Sequence, residues 1–354
     1  GIGVVIVGML LAASTGIVGA TVVTMGMLSL PTMLKAGYDQ KIATGTICAA
    51  GTLGQIIPPS IVLVLLADIL QGANEEAALI SGNLAPEPIT AIDLFAGAMM
   101  PGMMLVCMFI LFIYIYAKIY PLSCPPIETT RSRLEIYIEA FKNVLPPLIL
   151  ILLVLGSILL GIATPTESAS VGAAGASLLA FAKGELTFKN LKDVSFNTVK
   201  LSSFVFVILI GASMFSLVFR GFNGDELIEH ALGGLPGGQV GALIIVMLAI
   251  FVLGFFLDYI EIIFVIVPLV GPVLIANGAD PLWLGIMISL NLQTSFLTPP
   301  FGFSLFFLRG VAPPEIQTKN IYRGVIPYIG IQVIAIIVVG FIPEIATWLP
   351  RKIF

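Results

Sequence analysis

Charged residues, histidine and cysteine are all scarce in this sequence of 354 residues. Charged side chains make up 10% of the chain, against about 25% in soluble domains, whereas hydrophobic residues make up 58%. A single histidine, His230, excludes a His-based triad and a His/Cys metal cluster, and the sequence has no phosphate loop of the Gly-Lys-Ser type. Lys and Arg do not cluster with aromatic residues, so we expect no nucleic-acid binding. Nothing in this composition favours an enzyme.

The three cysteines are scattered, and two of them lie inside apolar runs. Cys48, Cys107 and Cys124 are also odd in number. This pattern favours small buried apolar side chains over a disulfide or a metal site.

Long apolar runs are abundant instead. A helix needs about 20 apolar residues to cross the hydrocarbon core of a bilayer, and several runs meet or approach that length. We therefore expect one polytopic membrane domain rather than several soluble ones. The chain starts at Gly1 within an apolar run, so we expect further helices upstream of it. The clearest runs are 93–120, 144–162, 201–219 and 325–342.

Two distant stretches of the chain resemble each other at one common offset. Pro31–Asp39 aligns with Pro272–Asp280 at a shift of 241 positions. The pair Pro58–Pro59 falls on the pair Pro299–Pro300 at the same shift. The shared spacing predicts an internal repeat.

Each half of the repeat has the same order of elements. An apolar stretch of about 35 residues comes first, at 3–36 and again at 240–276, with Gly and polar residues in its middle. Two full crossings need about 40 residues plus a turn, so we predict a re-entrant helical hairpin in each half. A crossing broken by the Pro–Pro pair follows. Because unwound backbone survives in a membrane only beside protein or a wet cavity, the four interruptions predict a polar site at mid-depth.

The number of membrane crossings between the two hairpins predicts the topology. Five predicted crossings separate the hairpins, and an odd number places the second hairpin on the opposite face, so the repeat is inverted. With the loops 118–143 and 183–200 in the cytoplasm, only Arg220, Arg351 and Lys352 of the 16 Lys and Arg residues lie outside, which satisfies the positive-inside rule. The C-terminus is then periplasmic. The five crossings are 42–70, 94–118, 145–162, 166–183 and 200–220.

We divide the chain into four parts on this basis. First-repeat transport elements occupy 1–92, and scaffold helices occupy 93–237. A cytoplasmic surface helix lies near 128–143, where charges and apolar residues take opposite sides. Second-repeat transport elements occupy 238–310, and a C-terminal helix occupies 311–354.

Inverted repeats with hairpins and broken helices are typical of secondary transporters with a site at the membrane midplane. Half-helix N-termini present free N–H groups to a carboxylate, while exposed carbonyl and hydroxyl oxygens suit sodium. We predict that the substrate site includes Ser14, Thr15, Gly16, Gln55, Pro58, Asn291, Gln293, Ser295 and Pro299. We predict that sodium binds among Gly19, Thr21, Gly51, Thr52, Gly54, Asp258, Thr294 and Thr298.

Several of these residues also have a purely structural interpretation. A Ser or Thr in a membrane helix commonly bonds its own backbone carbonyl. Asp258, an acid within an apolar stretch, could bind sodium, cap a half-helix or carry a proton, and Glu261 could pair with a neighbour in the full complex. Thr164 and Glu167 read first as a helix start, with contact to a partner protein as the alternative.

Five motifs in their order make the family recognisable. They are Ser14–Thr21, Gly51–Ser60, Gly161–Ser168, Gly254–Asp258 and Leu297–Gly302. Together they resemble the successive motifs of the large membrane subunit (M, DctM-like) of TRAP transporters. The runs Gln293–Gly302 and Leu308–Pro313 are similar to the branch associated with mannitol, chloroaromatic or α-keto acid substrates.

The resemblance implies an all-α elevator fold like that of the ion transporter superfamily, in the bacterial inner membrane. It implies a small four-helix membrane (Q) subunit and a periplasmic substrate-binding protein as partners, a small carboxylate as substrate, Na⁺ as coupling ion, and no organic cofactor. A family member commonly has a Ser-rich first tip, whereas this chain has Ile17–Val18 between glycines.

Two other functions remain open from the sequence. A stand-alone sodium-coupled anion symporter of related architecture would need no binding protein. A channel would pass substrate without saturation, and a membrane scaffold would pass none.

Overall fold

The computed structural model describes residues 1–82, 85–126 and 132–353. Within these ranges the chain is helical, without a β-strand. Six of the described helices are long and apolar enough to cross a membrane, or seven if one bent pair counts as a span. The prediction of an all-α polytopic membrane protein is confirmed.

The first repeat contains the predicted hairpin and broken helix. Gly16 ends the first hairpin helix in the left-handed conformation, with φ 63°, which glycine adopts without steric cost. The returning helix of the hairpin begins at Val18. The elements of this part of the chain are α1 (Ile2–Thr15), α2 (Val18–Lys35), α3 (Gln40–Thr52), a 3₁₀ turn (Leu53–Gln55), α4 (Ile61–Ser81) and α5 (Ala91–Ile119).

The middle of the chain differs from the sequence prediction in one element. The helix beginning at Arg133 continues without interruption to Leu159, so 133–143 is not a separate surface helix; residues 128–131 of that prediction lie outside the described ranges. Asn143 donates to the Glu139 carbonyl within the helix, and no glycine ends the helix there. The middle helices are α6 (Arg133–Leu159), α7 (Pro165–Ala182), α8 (Phe188–Gly221) and α9 (Gly224–Gly233).

The second repeat has the same order of elements. Its hairpin turns at 254–258, and its broken helix is interrupted at 298–302. A π-helical turn, Ile262–Ile266, lies in the returning arm of the hairpin. The other elements are α10 (Gly238–Leu253), α11 (Tyr259–Glu261), α12 (Val267–Ala276), α13 (Pro281–Leu297), α14 (Phe303–Val311), α15 (Thr318–Phe341) and α16 (Glu344–Ile353).

The compact units have other boundaries than the four predicted parts. One unit comprises Gly1–Pro126 with Ala212–Phe354, and the other comprises Ile127–Gly211. The predicted boundaries at 93 and 311 therefore do not separate compact bodies. The reason is packing: α5 lies against α4, α15 and α16, and α15 runs along α3. At Gly45 and Gly324 these two helices are so close that a Cβ on either would strike the other backbone.

The cysteines are free thiols in three different environments. Cys48 is buried in α3, where its thiol donates to the Ser304 carbonyl at 3.7 Å. Cys107 is exposed on α5, and Cys124 is half-buried. The expectation of buried apolar cysteines is therefore correct for Cys48 and wrong for Cys107. No group of three His, Cys, Asp or Glu side chains arranged for a metal occurs among the described residues.

Candidate functional site

In the first repeat, the hairpin tip lies against the break of the following helix. A Cβ at Gly16 would lie 3.1 Å from the Ile61 side chain, which begins α4 after the break. A Cβ at Gly54 would lie 3.5 Å from the carbonyl oxygen of Ala12. Across the tip, the hydroxyls of Thr15 and Thr21 hydrogen-bond at 2.7 Å. The small residues of this motif therefore permit close contact between tip and break.

The second repeat brings its tip and break together in the same way. A Cβ at Gly254 would strike the Ser295 side chain, and the rings of Phe256 and Phe301 lie 5.4 Å apart. A cavity of about 410 Å³ opens here. Its lining includes Phe255, Phe256, Pro300, Phe301, Arg309 and Tyr322.

A serine holds each break at an equivalent carbonyl. Ser60 Oγ donates to the Gln55 carbonyl at 2.9 Å, and Ser304 Oγ donates to the Phe296 carbonyl at 2.8 Å. Positions 55 and 296 differ by 241, the offset of the sequence repeat. Both Pro–Pro bonds, 58–59 and 299–300, are cis. The two breaks are thus alike in backbone and in the contact that closes them.

Contacts between the repeats join the two halves into one core. Ser289 Oγ of α13 donates to the Gln55 carbonyl at 2.9 Å, so serines from both repeats bind that oxygen. A Cβ at Gly19 of the first hairpin would lie 2.8 Å from the ring of Phe307, which follows the second break. Reciprocally, α4, which follows the first break, packs against α12 of the second hairpin. Each broken helix therefore supports the hairpin of the other repeat.

Three buried glutamines have amide atoms without a hydrogen-bond partner among the described residues. Gln55 and Gln293 are fully buried, and both amide atoms of each are unpartnered. Gln332 is 1% exposed, and its Oε1 is also unpartnered. Gln293 lies one helical turn beyond Ser289, on the same face of α13. A buried amide left unpaired costs about 1–3 kcal/mol, so these groups point to a polar ligand.

Among the described helices that begin at a tip or break, α11 has a side-chain cap, from Asp258, whereas α2, α4 and α14 differ from many of the helices that begin in loops. Side chains cap five helices that begin in loops: Asp39, Thr90, Ser132, Thr164 and Asp280 cap α3, α5, α6, α7 and α13. In the described part of the chain, α2, α4 and α14 have no such cap where they begin beside a tip or break. Their first-turn N–H groups therefore remain available to an anion. The helix-start interpretation of Thr164 and Glu167 is confirmed by a capping box.

Most predicted hydroxyl ligands donate to their own helix. Thr294, Ser295 and Thr298 donate to carbonyls three or four residues earlier, at 2.8 Å in each case. Thr52 donates to the Ala49 carbonyl at 2.9 Å. These bonds to the helix's own backbone are the structural role expected of Ser and Thr in a membrane helix. They still leave lone pairs on the hydroxyl oxygens free for a cation. Asn291 instead donates its amide to the Met247 carbonyl at 2.7 Å and joins α13 to α10.

The remaining predicted residues have distinct environments. Asp258 is half-buried, and its carboxylate caps α11 by accepting from the Tyr259 N–H at 2.8 Å. Glu261 lies one turn later with a buried, unpartnered Oε2, among the residues that the structure describes. Ser14 is exposed and donates to the Leu11 carbonyl. Gly51 is packed against Val22 of the first hairpin.

Sequence reasoning missed two residues of this core, Ser289 and Gln332. Ser289 stands in an apolar stretch of α13, and Gln332 stands in the apolar run 325–342. A lone polar side chain in such a run is costly unless it has a partner. This cost could have drawn attention to Gln332 in the sequence, whereas a single serine such as Ser289 gives little indication of a functional role.

Comparison with known proteins identifies the family. Residues 1–345 match the family model described as the tripartite ATP-independent periplasmic transporter, DctM component. The chain is 31% identical to the C4-dicarboxylate TRAP transporter large permease protein DctM of Vibrio cholerae, over 97% of this chain and 75% of that protein. It is 30% identical to the ectoine TRAP transporter large permease protein TeaC of Halomonas elongata, over 96% and 74%. It is 25% identical to the sialic acid TRAP transporter permease protein SiaT of Haemophilus influenzae, over 92% and 50%.

These relatives are transport proteins rather than enzymes, and their family works with a small membrane subunit and a periplasmic binding protein. The hairpins and broken helices of the structure, and the match over almost the full length of the chain, support the same family assignment. The chain belongs to the DctM family of TRAP transporter large permease subunits.

Proposed function

We propose that this chain imports a small carboxylate together with sodium across the bacterial inner membrane, as the large permease of a tripartite transporter. The Q subunit and the periplasmic binding protein complete the system, and the hairpin-bearing elements move as an elevator. In the orientation that we propose, loops 118–143 and 183–200 are cytoplasmic, and the C-terminus is periplasmic. The three relatives above are named for different solutes, C4-dicarboxylate, ectoine and sialic acid, so the family does not select one substrate.

The observation that best supports this function is a pair of fully buried carboxamides, those of Gln55 and Gln293, which have no hydrogen-bond partner within the described ranges. Each carboxamide offers a donor to a carboxylate and an acceptor to a cation. The uncapped N-termini of α2, α4 and α14 favour an anion. The C-terminal carbonyl ends of α1, α3 and α13 at the same interruptions favour a cation. One core thus offers complementary groups to both proposed solutes.

Uptake into proteoliposomes tests this function. The chain, its Q subunit and its binding protein are reconstituted, and carboxylate uptake is measured with an inward sodium gradient or with choline in place of sodium. We expect saturable uptake only with sodium and binding protein. Full uptake without the binding protein would instead support a stand-alone symporter. Non-saturable passage would support a channel, and no passage would support a scaffold.

Removing the hydroxyl of Thr52 or Thr294 is expected to weaken sodium dependence selectively. Thr52→Ala and Thr294→Ala each remove one oxygen ligand near a break, so the sodium concentration for half-maximal uptake should rise about tenfold, equivalent to about 1.4 kcal/mol. Thr198→Ala is the control, since Thr198 is an exposed threonine that also donates to its own helix. Unchanged sodium dependence in both test variants at normal expression would contradict these ligands.

Two substitutions of Asp258 separate capping from ion coupling. Asn caps a helix about as well as Asp but has no charge, whereas Ala removes both functions. If the carboxylate binds sodium, Asp258→Asn and Asp258→Ala both lose sodium-driven uptake. If Asp258 only caps α11, Asp258→Asn transports normally. Asp258→Ala then loses about 1 kcal/mol of unfolding free energy and melts at a lower temperature. We expect the first result, measured by uptake and thermal melting of the same preparations.

A further inference from the structure

We propose that Gln332 of α15 is a positioning residue for Thr52 at the first break, and so controls sodium binding from outside the two hairpins and broken helices. The proposal rests on the proposed sodium coupling. It assigns a role to the C-terminal part of the chain, which the sequence motifs leave without one.

Three polar contacts connect α15 to α3. Asn320 Nδ2 donates to Gln40 Oε1 at 2.7 Å, at the loop end of α3. The hydroxyls of Tyr328 and Thr46 hydrogen-bond at 2.7 Å. Gln332 Nε2 donates to Thr52 Oγ1 at 3.2 Å, where α3 ends at the break. The first two contacts lie along the helix, but the third lies at the interruption itself.

The hydroxyl of Thr52 has a fixed set of partners because of this contact. Its hydrogen goes to the Ala49 carbonyl, and one lone pair accepts from Gln332. A hydroxyl has two acceptor lone pairs, so one remains for a cation. Threonine in a helix has two accessible χ1 rotamers, and the Gln332 donor favours the one with this arrangement. Gln332 therefore orients the free lone pair of Thr52.

The other end of the same carboxamide distinguishes Gln332 from an ordinary link between helices. Its Oε1 is buried and has no partner in the part of the chain that the structure describes, although Nε2 is bonded. The Tyr328–Thr46 contact, in contrast, leaves no such orphaned atom on either side chain among the described residues. An unpartnered oxygen on a side chain that is 1% exposed, next to a predicted sodium ligand, is expected beside a bound polar species rather than in a finished apolar interface.

The test compares Gln332→Leu with Tyr328→Phe. Both variants remove one hydrogen bond between α15 and α3, but only the first acts at the break. We expect Gln332→Leu to raise the half-saturating sodium concentration about three- to tenfold, the range expected from losing one buried hydrogen bond, with the maximal uptake rate largely kept. Tyr328→Phe should leave sodium half-saturation at the wild-type value.

A second readout needs no transport activity. Sodium that binds the folded protein raises its melting temperature in a concentration-dependent way, so melting of purified protein is followed in sodium and in choline chloride. We expect the sodium-dependent shift to need higher concentrations in Gln332→Leu only, and Gln332→Met is measured if the leucine variant does not purify. Equal sodium dependence in the Gln332 and Tyr328 variants would overturn this proposal. Absence of sodium dependence in the wild type would instead overturn the proposed function.

Discussion

Replacing Gln55 and Gln293 together by leucine is expected to stop sodium-driven uptake without destabilising the ligand-free protein. Both carboxamides are fully buried with unpartnered amide atoms within the described residues. Leucine has a similar volume and no polar group, so each change removes an unpaired amide that costs about 1–3 kcal/mol. The same change removes hydrogen bonds to a charged solute, worth about 1.5–3 kcal/mol each. Uptake should fall at least about 100-fold, while the melting temperature in choline stays equal or rises.

The opposite signs of these two effects make the prediction specific. A glutamine that merely filled space would give a variant with raised stability and normal uptake. A glutamine that held the fold together would give a variant that melts early. Gln239→Leu is the control, because Gln239 is an exposed glutamine in α10. Uptake within twofold of wild type in the double variant would contradict the proposed ligand role.

Adding a methyl group at Gly45 is expected to have the largest effect on stability. A Cβ there would strike the Gly324 carbonyl of α15, and backbone cannot yield as a flexible side chain can. We expect Gly45→Ala to lose about 3 kcal/mol, the upper part of the usual overpacking range, even though alanine favours helix by about 1 kcal/mol over glycine. Thermal melting and recovery of monodisperse protein measure the loss.

Gly330 provides a matched control on α15. It is exposed, and no described atom outside its own helix segment lies within 4 Å of a Cβ built there. Gly330→Ala should therefore melt at the wild-type temperature or slightly above, because only the gain in helix propensity remains. Equal melting of Gly45→Ala and Gly330→Ala would show that the α3–α15 approach is not tight.

The elements with strong physical constraints were predictable from the sequence. Glycines at 16 and 254 and the two Pro–Pro pairs interrupt apolar runs, and the common offset of 241 relates the halves. Glycine adopts turn conformations that other residues avoid, and proline removes a backbone donor and breaks helices. These positions therefore predict the hairpins and breaks that the structure contains. The carbonyls of Gln55 and Phe296, which both accept from serine, follow the same offset.

Contacts between distant helices were not predictable in the same way. No local pattern indicates that Ser289 reaches the Gln55 carbonyl, or that Gln332 reaches Thr52. The grouping of α5 and α15 with the hairpins likewise depends on long-range packing. The continuous α6 was not predictable either. Pro146 and Pro147 follow Asn143 closely and usually end or kink a helix, yet α6 runs through them to Leu159.

Hydrogen exchange in the presence of sodium tests most directly whether the four interruptions form one binding site. Purified protein is labelled in sodium chloride or choline chloride at equal ionic strength, and exchange is followed in peptides covering the tips at 15–18 and 254–258 and the breaks at 53–60 and 296–302. We expect sodium to slow exchange in all four segments, with the same half-saturating concentration. Protection of only one repeat, or no protection in any of the four, would contradict a shared site.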